Sequence, residues 1–303
     1  MSSTPPRIAV VEVGPRDGLQ NEPTAIATAD KVRFVDALSR AGHRHIEVSA
    51  FVSPKWVPQM ADAGAVFEAI ARVPGVRYTA LVPNLAGLTR ARAARVDGVA
   101  VFAAASERFS IANINQSIDE SLARYAEVVA EARAQDLPVR GYVSCAFGCP
   151  FEGAVAPAAV IRVTRALLEM GVGQVAISDT IGVGHPGQVR TLLAQLAADV
   201  PLARLALHFH DTRGTALANV LAGLDAGIAT FDASAGGLGG CPYAPGAAGN
   251  LATEDLLYML DGLGLETGVS RSGVMVASLA LQPLLGHPLR SPSVQADLAA
   301  SRR

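Results

Sequence analysis

The feature that most restricts this chain is a strict alternation. Short β-branched runs, at 8–13, 44–48, 77–82, 98–102, 139–144, 174–178, 204–208 and 229–233, are each followed by a stretch with helical spacing of its apolar residues, at 28–41, 59–71, 85–94, 117–134, 157–170, 187–198, 214–226 and 250–260. The two periods, near 2 and near 3.6, are those of a strand and of a helix that buries one stripe. A strand–helix–strand repeat lays its strands parallel, because the helix carries the chain back to the starting end of the sheet. Eight such units suit either one closed barrel or two open sheets. No Pro/Ser-rich linker divides the halves, so the expected fold class is α/β, a (β/α)8 TIM barrel with a short C-terminal helical extension. The expected division is 1–262 as the catalytic barrel and 263–303 as a helical extension packed on it, with a helical patch near 274–285 and a frayed end.

Charge and composition narrow the partner. Half of the residues are hydrophobic, 17% are charged and the net charge is −2, so the chain has neither the basic excess that nucleic acid demands nor a charged disordered tail. The expected partner is a small molecule, with no nucleic acid and no membrane. No window reaches the roughly 20 uninterrupted apolar residues that a span requires, and the run at 8–13 is too short for the core of a signal peptide. Three cysteines, Cys145, Cys149 and Cys241, make an odd count and no disulfide framework in a chain this long. A cytoplasmic location is the resulting expectation.

In a parallel barrel the chemistry gathers at the C-terminal ends of the strands. The sequence is polar at those ends: Glu12 followed by Gly14-Pro15-Arg16-Asp17-Gly18, then Glu47, Asp179, His208-Phe209-His210-Asp211, and a glycine-rich loop at 236–249 that holds Cys241. His208 and His210 are spaced i, i+2 on a strand, which points both imidazoles to one face. With Asp17 and Asn250 they would form a mixed N/O ligand set with open positions, better suited to Mg²⁺ or Mn²⁺ than to a closed thiolate zinc site. The plain alternative is a pair of hydrogen-bonded barrel histidines. A His-x-His at a strand end favours the metal.

Arg16 beside Asp17 reads either as a solvated ion pair or, at a barrel mouth between glycines, as a fixed donor to an oxyanion. The loop around Cys241 has too many glycines to pack a core and enough to move as a lid, from which a thiol can pass a proton when closed; the alternative is a spectator thiol. Cys145 and Cys149 lack a second zinc-type pair and are expected as wall residues. Gly182-Val-Gly-His-Pro-Gly187 matches G-x-G-x-x-G but lacks the acidic residue that a dinucleotide fingerprint needs at the next strand's end, so a tight βα turn is expected.

Several of these segments resemble the hydroxymethylglutaryl-CoA lyase (HMG-CoA lyase) family of the DRE-TIM metallolyases. They are VEVGPRDGLQNE at 11–22, FVSPKWVPQM at 51–60, GYVSCAFGCPFEG at 141–153, DTIGVG at 179–184, GLGGCPYA at 237–244 and GNLATEDL at 249–256. The resemblance covers nearly the whole barrel, and its last segments are the most specific. It implies a divalent-metal-dependent carbon–carbon lyase that cleaves an acyl-CoA thioester, 3-hydroxy-3-methylglutaryl-CoA, to acetoacetate and acetyl-CoA. By the same resemblance Asp17, His208, His210 and Asn250 are metal ligands, Arg16 stabilises the enolate, Cys241 donates the proton, and Glu47, Asp179 and Glu254 are further active-site polar positions. The base is Asp17 or a metal-bound histidine, and the assembly is a homodimer.

Two departures from the family pattern stand out. Arg213, in Asp211-Thr-Arg213, places a cation near the acyl pocket, and Ser110-Ile-Ala-Asn113 lacks a lysine that would partner a CoA phosphate. The competing readings are a sister lyase for citramalyl-CoA or a longer 3-hydroxyglutaryl-CoA derivative, a synthase, for which 263–303 offers little room, and a non-catalytic barrel.

Overall fold

The structure is a computed structural model that describes residues 7–240 and 249–301. The stretch Leu205–Phe209 buries all five of its residues, and Val139–Ser144 buries all but the last, as strands must when helices cover one face and a barrel interior fills the other. The eight strands are β1 (Ala9–Glu12), β2 (His45–Ala50), β3 (Arg77–Leu81), β4 (Gly98–Ala104), β5 (Val139–Ser144), β6 (Gln174–Asp179), β7 (Leu205–Phe209) and β8 (Thr230–Ala233). They close in sequence order into a parallel barrel, sealed where Ala9 to Glu12 pair with Thr230 to Ala233. In β2 the register slips: Glu47 pairs with Thr79 and Ser49 with Ala80, leaving Val48 as the extra residue of a bulge beside the barrel mouth.

Around the barrel run α1 (Thr28–Arg40), α2 (Ala63–Ala69), α3 (Leu85–Ala93), α4 (Glu107–Ile114), α5 (Ile118–Arg133), α6 (Pro157–Glu169), α7 (Pro186–Leu196), α8 (Ala216–Asp225) and α9 (Thr253–Gly262), followed by α10 (Arg271–Leu285) and α11 (Pro292–Ala300). Their starts follow local chemistry. Ser117 and Glu120 form a capping box on α5, with Glu120 N–H donating to Ser117 Oγ at 3.1 Å and Ser117 N–H to Glu120 Oε2 at 2.8 Å. The helix expected at 59–71 is instead a 3₁₀ turn, Pro58–Met60, and then α2. The Gln59 carbonyl accepts from Lys31 Nζ at 2.5 Å, and Asp62 is drawn toward α1 by Lys31 at 2.7 Å and Thr28 Oγ1 at 2.8 Å, so both residues serve tertiary contacts.

Helix α4 was not expected from the pattern. Ser106 caps it by accepting from Phe109 N–H at 3.1 Å. Beyond α9, α10 packs on both α1 and α9, bridging the seam where the first and last helical layers meet. Asp255 of α9 accepts from Ser291 Oγ at 2.7 Å and from Ser293 N–H at 2.9 Å, which ties the start of α11 to the barrel wall.

Candidate active site

β1 ends in a single π-turn, Gly14–Gly18, in which the Val13 carbonyl accepts from the N–H groups of Arg16, Asp17 and Gly18 at 3.1, 2.7 and 3.1 Å. The turn swings Arg16 and Asp17 over the barrel mouth. It needs glycine at its end: a Cβ on Gly18 would sit 2.9 Å from both Leu238 Cβ and Ser234 Oγ. Glu12, fully buried, braces the same corner by accepting from Gly14 N–H at 2.8 Å, Ala235 N–H at 2.9 Å and Thr253 Oγ1 at 2.7 Å.

At the mouth, Asp17, His208 and His210 offer one ligand atom each, all within 4.8 Å of one another. Both Nε2 atoms stand 3.8 Å from Asp17 Oδ2. Asn250 joins them because the segment 249–251 runs along the end of β7: Asp211 N–H donates to Gly249 O at 3.1 Å and Leu251 N–H to Phe209 O at 2.9 Å, with His210 and Asn250 bridged. Asn250 Nδ2 donates to Asp17 Oδ2 at 2.9 Å and to Leu238 O at 3.0 Å. Its Oδ1, and Nδ1 of His210, are buried with no hydrogen-bond partner among the described residues. Two nitrogens, a carboxylate and an amide with leftover buried polar atoms are a donor set that fits a divalent cation.

The electrostatics agree. Burial pushes the Asp17 carboxyl up, but Arg16, His208 and His210 outweigh it and hold it down at about 2. Burial, with His208 alongside, pushes His210 down to about 4, so its imidazole is neutral and free to ligate at physiological pH.

Arg16 is clamped by two carboxylates, Nε on Glu47 and Nη1 on Asp17, and its guanidinium lies 5.4 Å from the centre of the Tyr142 ring. Among the described residues nothing accepts from Nη2, and Arg16 lines a cavity of about 630 Å³ that opens at the mouth. Asp17, Tyr142, His208 and His210 line it too, with Val52, Leu81, Phe102 and Phe109 as apolar walls and Trp56, 80% exposed, at its rim.

The structure does not bring every predicted residue to this group. Asp179 spends its oxygens on Val183 N–H at 3.0 Å and Gly184 N–H at 2.8 Å, closing the turn that the glycine motif at 182–187 makes after β6. Glu254 accepts from Gly236 N–H at 3.0 and 2.8 Å and from Ser278 Oγ at 2.6 Å, behind the β8 loop. Burial raises the pKa of both. Arg213 turns to the Gly182 carbonyl at 3.0 Å and is not in the cavity wall, which corrects the expectation of a cation near the acyl pocket. Cys145 and Cys149 are buried, Cys149 accepting from Ser106 Oγ at 2.9 Å. Cys241 lies outside the described residues.

Three polar residues packed against the site escaped the sequence reading. Arg140 and Tyr142 on β5 share one face, and Asp232 sits inside β8; a charged side chain within an otherwise apolar barrel strand was the available signal. Asp232 accepts from Arg140 Nη2 at 2.7 Å and Nη1 at 3.0 Å and from His208 Nδ1 at 3.2 Å, and although burial opposes it, Arg140 holds its pKa well below the carboxylate range. Arg140 Nη1 also donates to Tyr142 Oη at 2.8 Å, which donates to Glu47 Oε2 at 3.0 Å.

A family model described as HMGL-like matches residues 7–279. A curated Pseudomonas aeruginosa protein, 3-hydroxy-3-isohexenylglutaryl-CoA/hydroxy-methylglutaryl-CoA lyase, is 53% identical over 295 residues, covering 97% of this chain and 98% of its own. A crystal structure of hydroxymethylglutaryl-CoA lyase from Pseudomonas aeruginosa superposes with a TM-score of 0.95 at 53% identity, over 98% of this chain and 99% of that one. An HMG-CoA lyase from Acinetobacter baumannii in complex with coenzyme A and 3-methylmalate gives 0.93 at 38% identity, over 98% and 97%.

Proposed function

The chain belongs to the HMGL-like family, and on that footing we propose that it is a hydroxymethylglutaryl-CoA lyase, cleaving 3-hydroxy-3-methylglutaryl-CoA to acetoacetate and acetyl-CoA with a divalent metal. One observation carries the reading: Asp17, His208 and His210 converge within 4.8 Å in the wall of a cavity that Arg16 also lines. Those three, with Asn250, are the proposed ligands, and their N/O character favours Mg²⁺ or Mn²⁺. A cation held there would lower the pKa of the substrate's tertiary hydroxyl.

The rest falls to the protein. Transfer of the hydroxyl proton to a base at the mouth, proposed as Asp17 or a metal-held histidine, lets the electron pair form the ketone of acetoacetate while the bond from C3 to the thioester α-carbon breaks, leaving the thioester enolate. Arg16, fixed by Glu47 and Asp17 and with Nη2 donating to no described residue, is placed to hold that enolate oxygen. Cys241 is the proposed donor of the proton that turns the enolate into acetyl-CoA. Asp179 and Glu254 act by shaping the β6 and β8 loops, through the backbone N–H groups of Val183, Gly184 and Gly236.

Acetyl-CoA release from the HMG thioester with Mg²⁺, abolished by EDTA, is the expected result. Absence of turnover with Mg²⁺ or Mn²⁺ would overturn the assignment. A second reading, a lyase for longer 3-hydroxyglutaryl thioesters, is favoured by the apolar walls Val52, Leu81, Phe102 and Phe109 and by the isohexenyl substrate in the name of the Pseudomonas relative. A panel of thioesters with 3-substituents of increasing length separates the two. The same proposal takes residues 1–262 as the catalytic unit and 263–303 as its cover. The chain is proposed to act in the cytoplasm, which suits Cys149, whose Sγ accepts hydrogen bonds from Ser106 Oγ and Phe151 N–H, and as a homodimer, which suits the exposed Tyr258 of α9 and Val276 of α10.

A further inference from the structure

His208 and His210 approach the Asp17 carboxylate at the same 3.8 Å through Nε2, yet their other ring nitrogens are treated differently. Nδ1 of His210 has no hydrogen-bond partner among the described residues. Nδ1 of His208 lies 3.2 Å from Asp232 Oδ2. That carboxylate cannot turn away, because Arg140 grips both of its oxygens, Nη2 on Oδ1 at 2.7 Å and Nη1 on Oδ2 at 3.0 Å, and all three groups are buried. We propose that Asp232, locked by Arg140, is a positioning residue that holds His208 as the Nδ1–H tautomer and so fixes the direction in which Nε2 is offered to the metal.

An acceptor-only carboxylate at Nδ1 requires the hydrogen to be there, and the lone pair is then left on Nε2, the atom facing Asp17. The clamp reaches further. Arg140 Nη1 also donates to Tyr142 Oη at 2.8 Å, Tyr142 donates to Glu47 at 3.0 Å, and Glu47 accepts from Arg16. One run of hydrogen bonds thereby links the ring that offers a lone pair to the guanidinium proposed to hold the enolate, so the two ends of the reacting substrate meet groups set in register by the same buried arginine.

This inference rests on the reading of His208 as a metal ligand, and its test separates the two. Removing Asp232 alone strands the buried Arg140 charge, and unfolding by itself would explain any loss. The test therefore uses Asp232→Leu/Arg140→Met, which removes the ion pair as a unit and leaves no acceptor for Nδ1. Mn²⁺ binding is followed through the electron paramagnetic resonance of the free ion, with circular dichroism of the metal-free protein as the control for folding. The expected result is a folded variant whose Mn²⁺ dissociation constant rises roughly 10- to 100-fold. Wild-type affinity in the folded variant overturns the proposal while leaving the metal site standing, whereas a wild-type protein that does not bind Mn²⁺ overturns the metal reading and the proposal together.

A second measurement needs no variant. Long-range ¹H–¹⁵N correlation spectra of the metal-free wild-type protein should show His208 protonated at Nδ1 and bare at Nε2. The opposite tautomer overturns the proposal, including in the case where the double variant fails to fold.

Discussion

Arg16 carries the sharpest demand on any one side chain, since it must hold a full charge while 7% exposed and still keep donors free for the substrate. Its two carboxylate partners meet the first need, and the second depends on the planar fork, which a lysine cannot reproduce. Arg16→Lys is expected to keep the charge and to lower kcat by about 10²- to 10³-fold, the scale of a lost oxyanion donor, with a smaller change in KM; steady-state kinetics on the HMG thioester checks it. Asp17 makes a pH prediction for the metal-free protein. Its folded pKa of about 2 lies below the ordinary 3.8, so its ionised form stabilises the fold at pH above the unfolded value, and that stability is lost as the pH falls toward 2. Urea unfolding of metal-free wild type and Asp17→Asn between pH 5 and 3 should show the wild type losing stability more steeply toward acid. Parallel slopes would refute it.

At the scale of elements, periodicity was a good guide wherever an element buries one face in a regular way. Strand 139–144 matches β5 end to end, and helices 85–94 and 157–170 end one residue before the pattern does. It failed where tertiary contacts decide. The π-turn Gly14–Gly18 has no repeating pattern and is held by Glu12, whose carboxylate is shared by Ala235 and Thr253, 223 and 241 positions away in sequence. Helix 59–71 broke because Lys31 claimed the Gln59 carbonyl. In the site, residues at strand ends were legible from their placement, while Arg140 and Asp232 were not, because their meaning lies in a contact across 92 positions. Gly18→Ala tests the turn: with Leu238 Cβ and Ser234 Oγ both at 2.9 Å from the new methyl, the turn must shift, at a cost of about 1–3 kcal/mol and with weaker Mn²⁺ binding than wild type. Wild-type values for both, from thermal melts and metal titration, would show that the corner has slack.

At the scale of the whole molecule, the proposed ligands come from the first strand's turn, the seventh strand and the segment after the eighth, so a bound cation bridges the beginning and end of the barrel. Anything that binds the folded state alone stabilises it in proportion to the logarithm of its concentration; at a hundredfold excess over the dissociation constant the gain is about 2.7 kcal/mol. Mn²⁺ should therefore raise Tm by several degrees and EDTA should reverse it, whereas Asp17→Asn should show little of either. An equal rise in the variant would place the cation elsewhere.

Trp56 is the chain's sole tryptophan, 80% exposed on the rim of the cavity with the Lys55 ammonium 6.0 Å from its ring. Every photon of indole emission from this molecule thus originates at one doorway, and none from its interior. Coenzyme A crossing that threshold should alter the spectrum directly, giving a label-free optical titration of occupancy, while unfolding of the distant wall should barely register in the same channel.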